Sequence, residues 1–211
     1  MKITNVMAVS VDGRIASHPG EKDKERRELG FTNDDDRAHI EALVKSCDAV
    51  IVGSSSIKAS GGAFEVLNDK GTYPHWYVLT RAGLPPDSRF LRQDKLPRTL
   101  VSERPLPHLK ATPTLRNVVA TKASVAQTIV AELRKANLTR VILFGGSEVN
   151  RIFYQEKLVD EVILTLCPLI IARSEAVPLV APELESPVKL TLTSSQPRGN
   201  LVFLTYTVQK Q

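Results

Sequence analysis

The segment Val141-Ile-Leu-Phe-Gly-Gly-Ser-Glu-Val149 joins an apolar run to two glycines and then to an amphipathic stretch. Glycines at such a junction let a backbone approach a ligand closely, and a helix starting beyond them offers N–H groups to an anion. Gly145, Gly146, Ser147 and Glu148 are therefore candidates to hold a phosphate or pyrophosphate. The pair also serves widely as a plain turn, and it is not the GxGxxG of a dinucleotide fingerprint. A second junction, Asp48-Ala-Val-Ile-Val-Gly-Ser-Ser-Ser56, places a glycine and three hydroxyls at a strand-like end, where open α/β sheets bind ligands. Gly53 and the three serines after it are candidates there, against the alternative that a serine simply caps a helix. Val78-Leu-Thr-Arg81 ends another such run; Arg81 either forks onto a phosphate or stays solvated. Near the start, Ala8-Val-Ser-Val-Asp-Gly-Arg-Ile15 ends in a turn dipeptide whose Asp12 either caps that turn or orients a substrate amine and relays a proton.

These groups need a scaffold. Short β-branched runs at 3–11, 49–52, 76–80, 99–102, 140–144, 161–166 and 201–208 read as strands. The continuously apolar ones, such as Ala49-Val-Ile-Val52, read as strands covered on both faces. Between them, Ile40, Leu43, Val44 and Cys47 predict a helix opened by Asn33-Asp-Asp-Asp36. Val125, Ile129, Leu133 and Ala136 predict a second, opened by Ser124. Val149, Ile152 and Phe153 predict a third, with Gly146 or Ser147 at its start. The dense charge run 21–28 cancels itself and reads as a solvated loop. The runs 189–193 and 200–208 around Gln196-Pro-Arg-Gly199 predict a closing antiparallel hairpin. The expected class is α/β, a mostly parallel sheet with helices on both faces, in one domain over residues 1–211.

Composition narrows the partners. The chain has 211 residues, two cysteines far apart and four histidines without metal spacing, so no metal is expected and a reducing cytoplasm is the default. No stretch approaches the ~18 apolar residues of a membrane helix, and no signal peptide is evident. The net charge is +5. Residues 81–110 hold seven basic and three acidic groups, most of that excess. With aromatics at 5% there is no stacking platform, so the excess suits a small polyanion better than nucleic acid or membrane.

In their order, these pieces resemble the RibD C-terminal reductase family of riboflavin biosynthesis, a branch of the dihydrofolate-reductase-like superfamily. The likeness rests on Met7-Ala-Val-Ser-Val-Asp-Gly-Arg-Ile-Ala16, Arg37-Ala-His-Ile-Glu-Ala-Leu43, Cys47-Asp-Ala-Val-Ile-Val-Gly-Ser-Ser-Ser56, Val78-Leu-Thr-Arg81, Phe144-Gly-Gly-Ser-Glu148 and Leu158-Val-Asp-Glu-Val-Ile-Leu-Thr-Leu-Cys-Pro168. It implies a dihydrofolate-reductase-like α/β/α fold and an NADPH-dependent reductase, often a homodimer, acting on a phosphoribosylaminopyrimidine. Carried onto this chain, it assigns Gly145, Gly146, Ser147 and Glu148 to the pyrophosphate. Gly53 and Ser56 go to the cofactor's ribose side, and Thr80 and Arg81 to the adenosine 2′-phosphate. Ala8 and the turn Asp12, Gly13 and Ile15 go to the border of nicotinamide and substrate. The family commonly has Glu before the Gly-Gly pair, used on the pyrimidine, where this chain has Phe144. It also commonly has Gly-Ser-Gly-Thr and then Asp-Pro, where this chain reads Gly53-Ser-Ser-Ser-Ile-Lys-Ala-Ser-Gly-Gly62. The substrate thus stays open among pyrimidine- and pterin-type rings. A non-catalytic nucleotide-binding module and a dihydrofolate-type reductase are the alternatives.

Overall fold

The computed structural model describes residues 1–210. In chain order the elements are β1 (Lys2–Ser10), β2 (Arg14–Ala16), α1 (Asp23–Leu29), α2 (Asp34–Lys45), β3 (Ala49–Gly53), α3 (Ser54–Ser60), β4 (His75–Leu79), α4 (Arg89–Arg92) and β5 (Arg98–Ser102). They continue with β6 (Leu115–Val119), α5 (Val125–Lys135), β7 (Arg140–Gly145), α6 (Ser147–Gln155), β8 (Glu161–Cys167), β9 (Val177–Pro178), β10 (Leu190–Arg198) and β11 (Leu201–Val208). They group into two compact units. One comprises Met1 with Glu41–Ile142; the other comprises Lys2–Ile40 with residues 143–210.

In the first unit, β3, β4, β5 and β6 pair in that order, all parallel. Every residue of β3 and β5 is buried, which explains the unbroken apolar run Ala49–Val52 of β3, while β5 buries Arg98, Thr99 and Ser102 beside Leu100 and Val101. Val50, Ile51 and Val52 alone remove enough surface from water for roughly 1.5–3 kcal/mol each. Helix α5 starts at Ser124, whose hydroxyl accepts the Gln127 N–H, as expected from the sequence. Its buried stripe is Ala126, Ile129, Val130 and Leu133; Ala136, expected on that stripe, is the exposed C-cap.

In the second unit the order is β10, β11, β8, β1. Strands β1 and β8 are parallel, while β11 runs antiparallel to β8 and β10 antiparallel to β11. Of these six pairings in the two units, four are parallel, and the two antiparallel ones belong to the C-terminal strands. The hairpin turn is tighter than the sequence suggested: β10 runs through Pro197 to Arg198, leaving Gly199 (φ +56) and Asn200 to reverse the chain. Proline is accepted because β10 is an edge strand. A short ribbon, β2 with β9, completes the unit.

The run 21–28 is not a loop. It carries α1, which buries none of its residues. Its signals are local ones: Glu25 accepts the Lys22 N–H at 2.7 Å, acids fill the first turn and Arg26 and Arg27 the last, and Gly30 closes it at φ +86. Self-cancelling charge here is the signature of an exposed helix.

Candidate functional site

Strand β7 ends in Gly145 (φ +64), and Gly146 (φ +92) is the N-cap of α6. Both lie in the left-handed region that only glycine enters without strain. A Cβ on Gly145 would also run into the Asn150 side chain, so the bend needs glycine for space as well as for conformation. Beyond it, the N–H groups of the first helical turn, Ser147 and Glu148 among them, have no intrahelical acceptor. They present the positive end of a nine-residue helix. The Ser147 hydroxyl proton is already used, donating to the Pro178 carbonyl at 2.7 Å, so the donor Ser147 can offer an anion is its backbone N–H. Glu148 is exposed, and Phe144 is half-buried at the end of β7.

Asp12 follows β1. One carboxylate oxygen accepts from the Ser10 hydroxyl at 2.6 Å and from the Ile171 N–H at 3.1 Å; the other accepts from the Ala172 N–H at 2.9 Å. The Ser10 hydrogen bond first, and then the two backbone donors, hold its carboxyl well below the ordinary range, so it is ionised at neutral pH. Gly13, at φ +76, turns the chain into β2, and its carbonyl accepts from Leu179 N–H at 3.1 Å. Ile15 is buried. Ala8 is buried too, its methyl packed with Phe31, Cys167, Leu201 and Phe203. What Ala8 can show a ligand is therefore backbone.

All of these residues belong to the second unit. In the first unit, Gly53 ends β3 and is the N-cap of α3, with Ser56 half-buried in the first turn. The Thr80 hydroxyl accepts from the Gly83 N–H at 2.8 Å and donates to the Gly83 carbonyl at 3.0 Å. It thereby closes the tight loop that carries exposed Arg81 just beyond β4.

The basic segment around Arg81 is not all available to a ligand. Arg98 is 1% exposed. It donates to the Phe90 carbonyl at 2.7 Å, the Leu96 carbonyl at 3.1 Å, and Asp94 and Thr114 at 3.0 Å. A guanidinium can be buried when its donors are satisfied in this way, and Arg98 is a brace of the fold.

Sequence reasoning treated Asp36 as a first-turn acid only. It is fully buried, and its oxygens have no hydrogen-bond partner of ordinary geometry among the described residues. Burial raises its pKa, with Thr165 and Arg26 nearby offsetting only part of the effect. Nothing in the spacing of Asn33-Asp-Asp-Asp36 marks which acid turns inward.

A strand ending in a glycine bend at a helix N-terminus, in an α/β chain, is an arrangement able to hold an anion. The family model for the RibD C-terminal domain matches residues 1–204, and the chain belongs to that family. It is accordingly a reductase, an oxidoreductase of the riboflavin-biosynthesis type. It is 27% identical over 214 residues to the 2,5-diamino-6-ribosylamino-4(3H)-pyrimidinone 5′-phosphate reductase of Methanothermobacter thermautotrophicus, covering 96% of this chain and 95% of that one. Among solved structures it resembles a pyrimidine reductase-like protein from Corynebacterium diphtheriae, with TM-score 0.80 and 18% identity over 100% of this chain and 92% of the other. It also resembles the dihydrofolate reductase of Enterococcus faecalis complexed with NADP(H), with TM-score 0.57 and 13% identity over 99% and 97%. The two structural likenesses establish the fold.

Proposed function

We propose that the chain is an NADPH-dependent reductase acting on a ribosylaminopyrimidine 5′-phosphate, the diaminopyrimidinone for which the Methanothermobacter relative is named. The observation that carries this reading is the Gly145–Gly146 bend into the N-terminus of α6, in a chain of the RibD C-terminal family. The donor set fits the cofactor: two glycines without side chains, followed by first-turn N–H groups that have no intrahelical acceptor, suit a pyrophosphate. NADPH, when bound, supplies the hydride.

In this reading Gly145, Gly146 and the N–H groups of Ser147 and Glu148 hold the pyrophosphate. Gly53 and Ser56 line the ribose side, and Thr80 shapes the loop from which Arg81 meets the 2′-phosphate. Ala8, Asp12, Gly13 and Ile15 border the nicotinamide and substrate, and Phe144 lines the substrate. Asp12 is ionised with both oxygens accepting. It holds the turn and the Ile171–Ala172 segment in place, and from there it is the residue to orient the substrate amine or relay a proton. The reading takes residues 1–211 as one reductase domain in the cytoplasm, supported by the family match over 1–204. No helix among the described residues is long and apolar enough to cross a membrane. It also takes the protein as a homodimer. Edge strand β10, with Leu190 39% and Leu192 53% exposed, is the surface a second copy would cover.

The test is titration with NADPH and NADH, followed by NADPH oxidation with the diaminopyrimidinone ribosyl phosphate, its uracil counterpart and dihydrofolate. NADPH preference with turnover of the first substrate supports the reading. Tight binding without turnover on any of the three favours a binding module of the same fold, for which Phe144 in the family's Glu position is the motivating residue. Turnover of dihydrofolate alone would favour the dihydrofolate-type alternative.

A further inference from the structure

Behind the Gly145–Gly146 bend lies a polar network sealed from water. Asn5 on β1 and Asn150 on α6 are both 0% exposed. Asn5 Nδ2 donates to the Leu143 carbonyl at 2.9 Å and to Asn150 Oδ1 at 3.0 Å. Asn5 Oδ1 accepts from the Tyr154 hydroxyl at 2.9 Å. Asn150 Nδ2 donates to the Leu179 carbonyl at 2.8 Å. The Leu143 and Leu179 carbonyls can only accept, and this dictates which way both amides point. Asn5 must turn its nitrogen to Leu143, so it also offers a donor to Asn150. Asn150 must therefore meet it with oxygen and turn its own nitrogen to Leu179. A flip of Asn5 would set its oxygen against the Leu143 carbonyl and Asn150 Oδ1, and a flip of Asn150 would set nitrogen against Asn5 Nδ2 and oxygen against the Leu179 carbonyl, in a dry interior.

This fixed amide lies against Gly145, filling the space that a side chain there would take. The Asn150 N–H makes the bond to the Gly146 carbonyl at 2.8 Å that starts α6. Through Leu179, whose N–H reaches the Gly13 carbonyl at 3.1 Å, the same residue is tied to the Asp12–Gly13 turn.

We propose that Asn150 is the positioning residue of the anion cradle, setting the direction of the Gly145 and Gly146 peptides while touching no ligand itself. The inference rests on the reading that this bend holds the cofactor pyrophosphate. The test measures NADPH, inorganic pyrophosphate and 2′-AMP binding, with thermal melts and steady-state kinetics, in the wild type, Asn150→Asp and Tyr154→Phe. Asn150→Asp keeps the acceptor for Asn5 but turns an oxygen on the Leu179 carbonyl. It is expected to weaken NADPH and pyrophosphate binding at least about tenfold, the scale of a misplaced binding group. KM for NADPH rises, kcat at saturation holds, and 2′-AMP, which has no pyrophosphate, binds as in the wild type. Tyr154→Phe removes only the outermost hydrogen bond and is expected to give a shift of about twofold to fivefold in the same direction. It decides the matter if Asn150→Asp does not fold. Folded variants that bind NADPH and pyrophosphate like the wild type, or that lose 2′-AMP in equal measure, would overturn the inference alone. A wild type that binds neither NADPH nor pyrophosphate would overturn the cofactor reading with it.

Discussion

Asp48 and Arg140 hold each other through both backbone and side chain. One Asp48 oxygen accepts the Arg140 N–H at 2.9 Å, together with the N–H and hydroxyl of Thr139 at 3.0 and 3.1 Å. The other faces the Arg140 guanidinium at 3.3 Å and the Lys70 ammonium at 2.7 Å. The arrangement pins the start of β7 beside the start of β3. Asp48→Ala is expected to cost about 2–3 kcal/mol in urea unfolding, less than a fully buried pair because both cations are partly solvated. Burial acts to raise the Asp48 pKa, but these donors outweigh it and hold the carboxyl well below its ordinary value. Its stabilisation is therefore complete above the ordinary value of 3.8 and fades as pH falls below it, so the wild-type advantage over the variant should shrink in acid.

Gly145→Ala tests the bend directly. The substitution meets both a φ of +64 and the Asn150 amide. Gly199→Ala is the control: its φ is +56, but nothing lies within 4 Å of the added carbon. Both should pay about 1–2 kcal/mol for the left-handed conformation. Only Gly145→Ala should also lose NADPH affinity, by tenfold or more on the scale of a misplaced binding group. Equal NADPH binding by the two variants would count against the cradle.

Asp36→Asn is expected to stabilise the protein at pH 7. The buried carboxyl has a raised pKa, so the folded state holds its proton more tightly than the unfolded chain. Wild-type stability then falls as pH rises above the ordinary 3.8, and the amide escapes that loss. Urea midpoints of the two proteins should converge below pH 3.8 and separate above it. A variant less stable at pH 7 than at pH 3.5, relative to the wild type, would sink the argument.

Both cysteines should be slow to react in the native protein. Burial pushes the Cys47 thiol up to about 12 and the Cys167 thiol to about 11, so neither is appreciably a thiolate at pH 8. A thiol reagent should label fewer than one site quickly without denaturant and two in urea. Fast labelling of either in the folded state would show that it is exposed.

The local signals carried much of this architecture. Ser124 capped the helix it was expected to cap, Gly146 opened α6, and the apolar run at 49–52 became a strand buried along its whole length. The readings that missed depended on distant partners or on exposed surface. Arg98 looks in the sequence like one more cation of a basic stretch, and only Phe90, Leu96 and Thr114 around it make it an interior brace. Helix α1 buries nothing, so no apolar stripe announced it. Strand β6 has a single fully buried residue, Leu115, and its alternation is correspondingly faint. At the site, the glycines were readable because backbone conformation is written locally. The Asn5–Asn150 pairing joins residues 145 apart and was not.

The Asp12–Gly13 turn also governs how much chain length can vary nearby. Adjacent residues pin both ends of one stretch: Asp12 holds Ala172 N–H at 2.9 Å, and Gly13 holds Leu179 N–H at 3.1 Å. The chain between is a closed loop whose mouth is fixed and whose outer part, Arg173, Ser174 and Glu175, is exposed. Residues added at Ser174 would swell that loop outward at a cost of only about 0.6 kcal/mol per doubling of its length. Residues removed would have to be drawn from the mouth and would detach one of the two pins. Homologous chains should therefore tolerate growth at this spot far better than shortening.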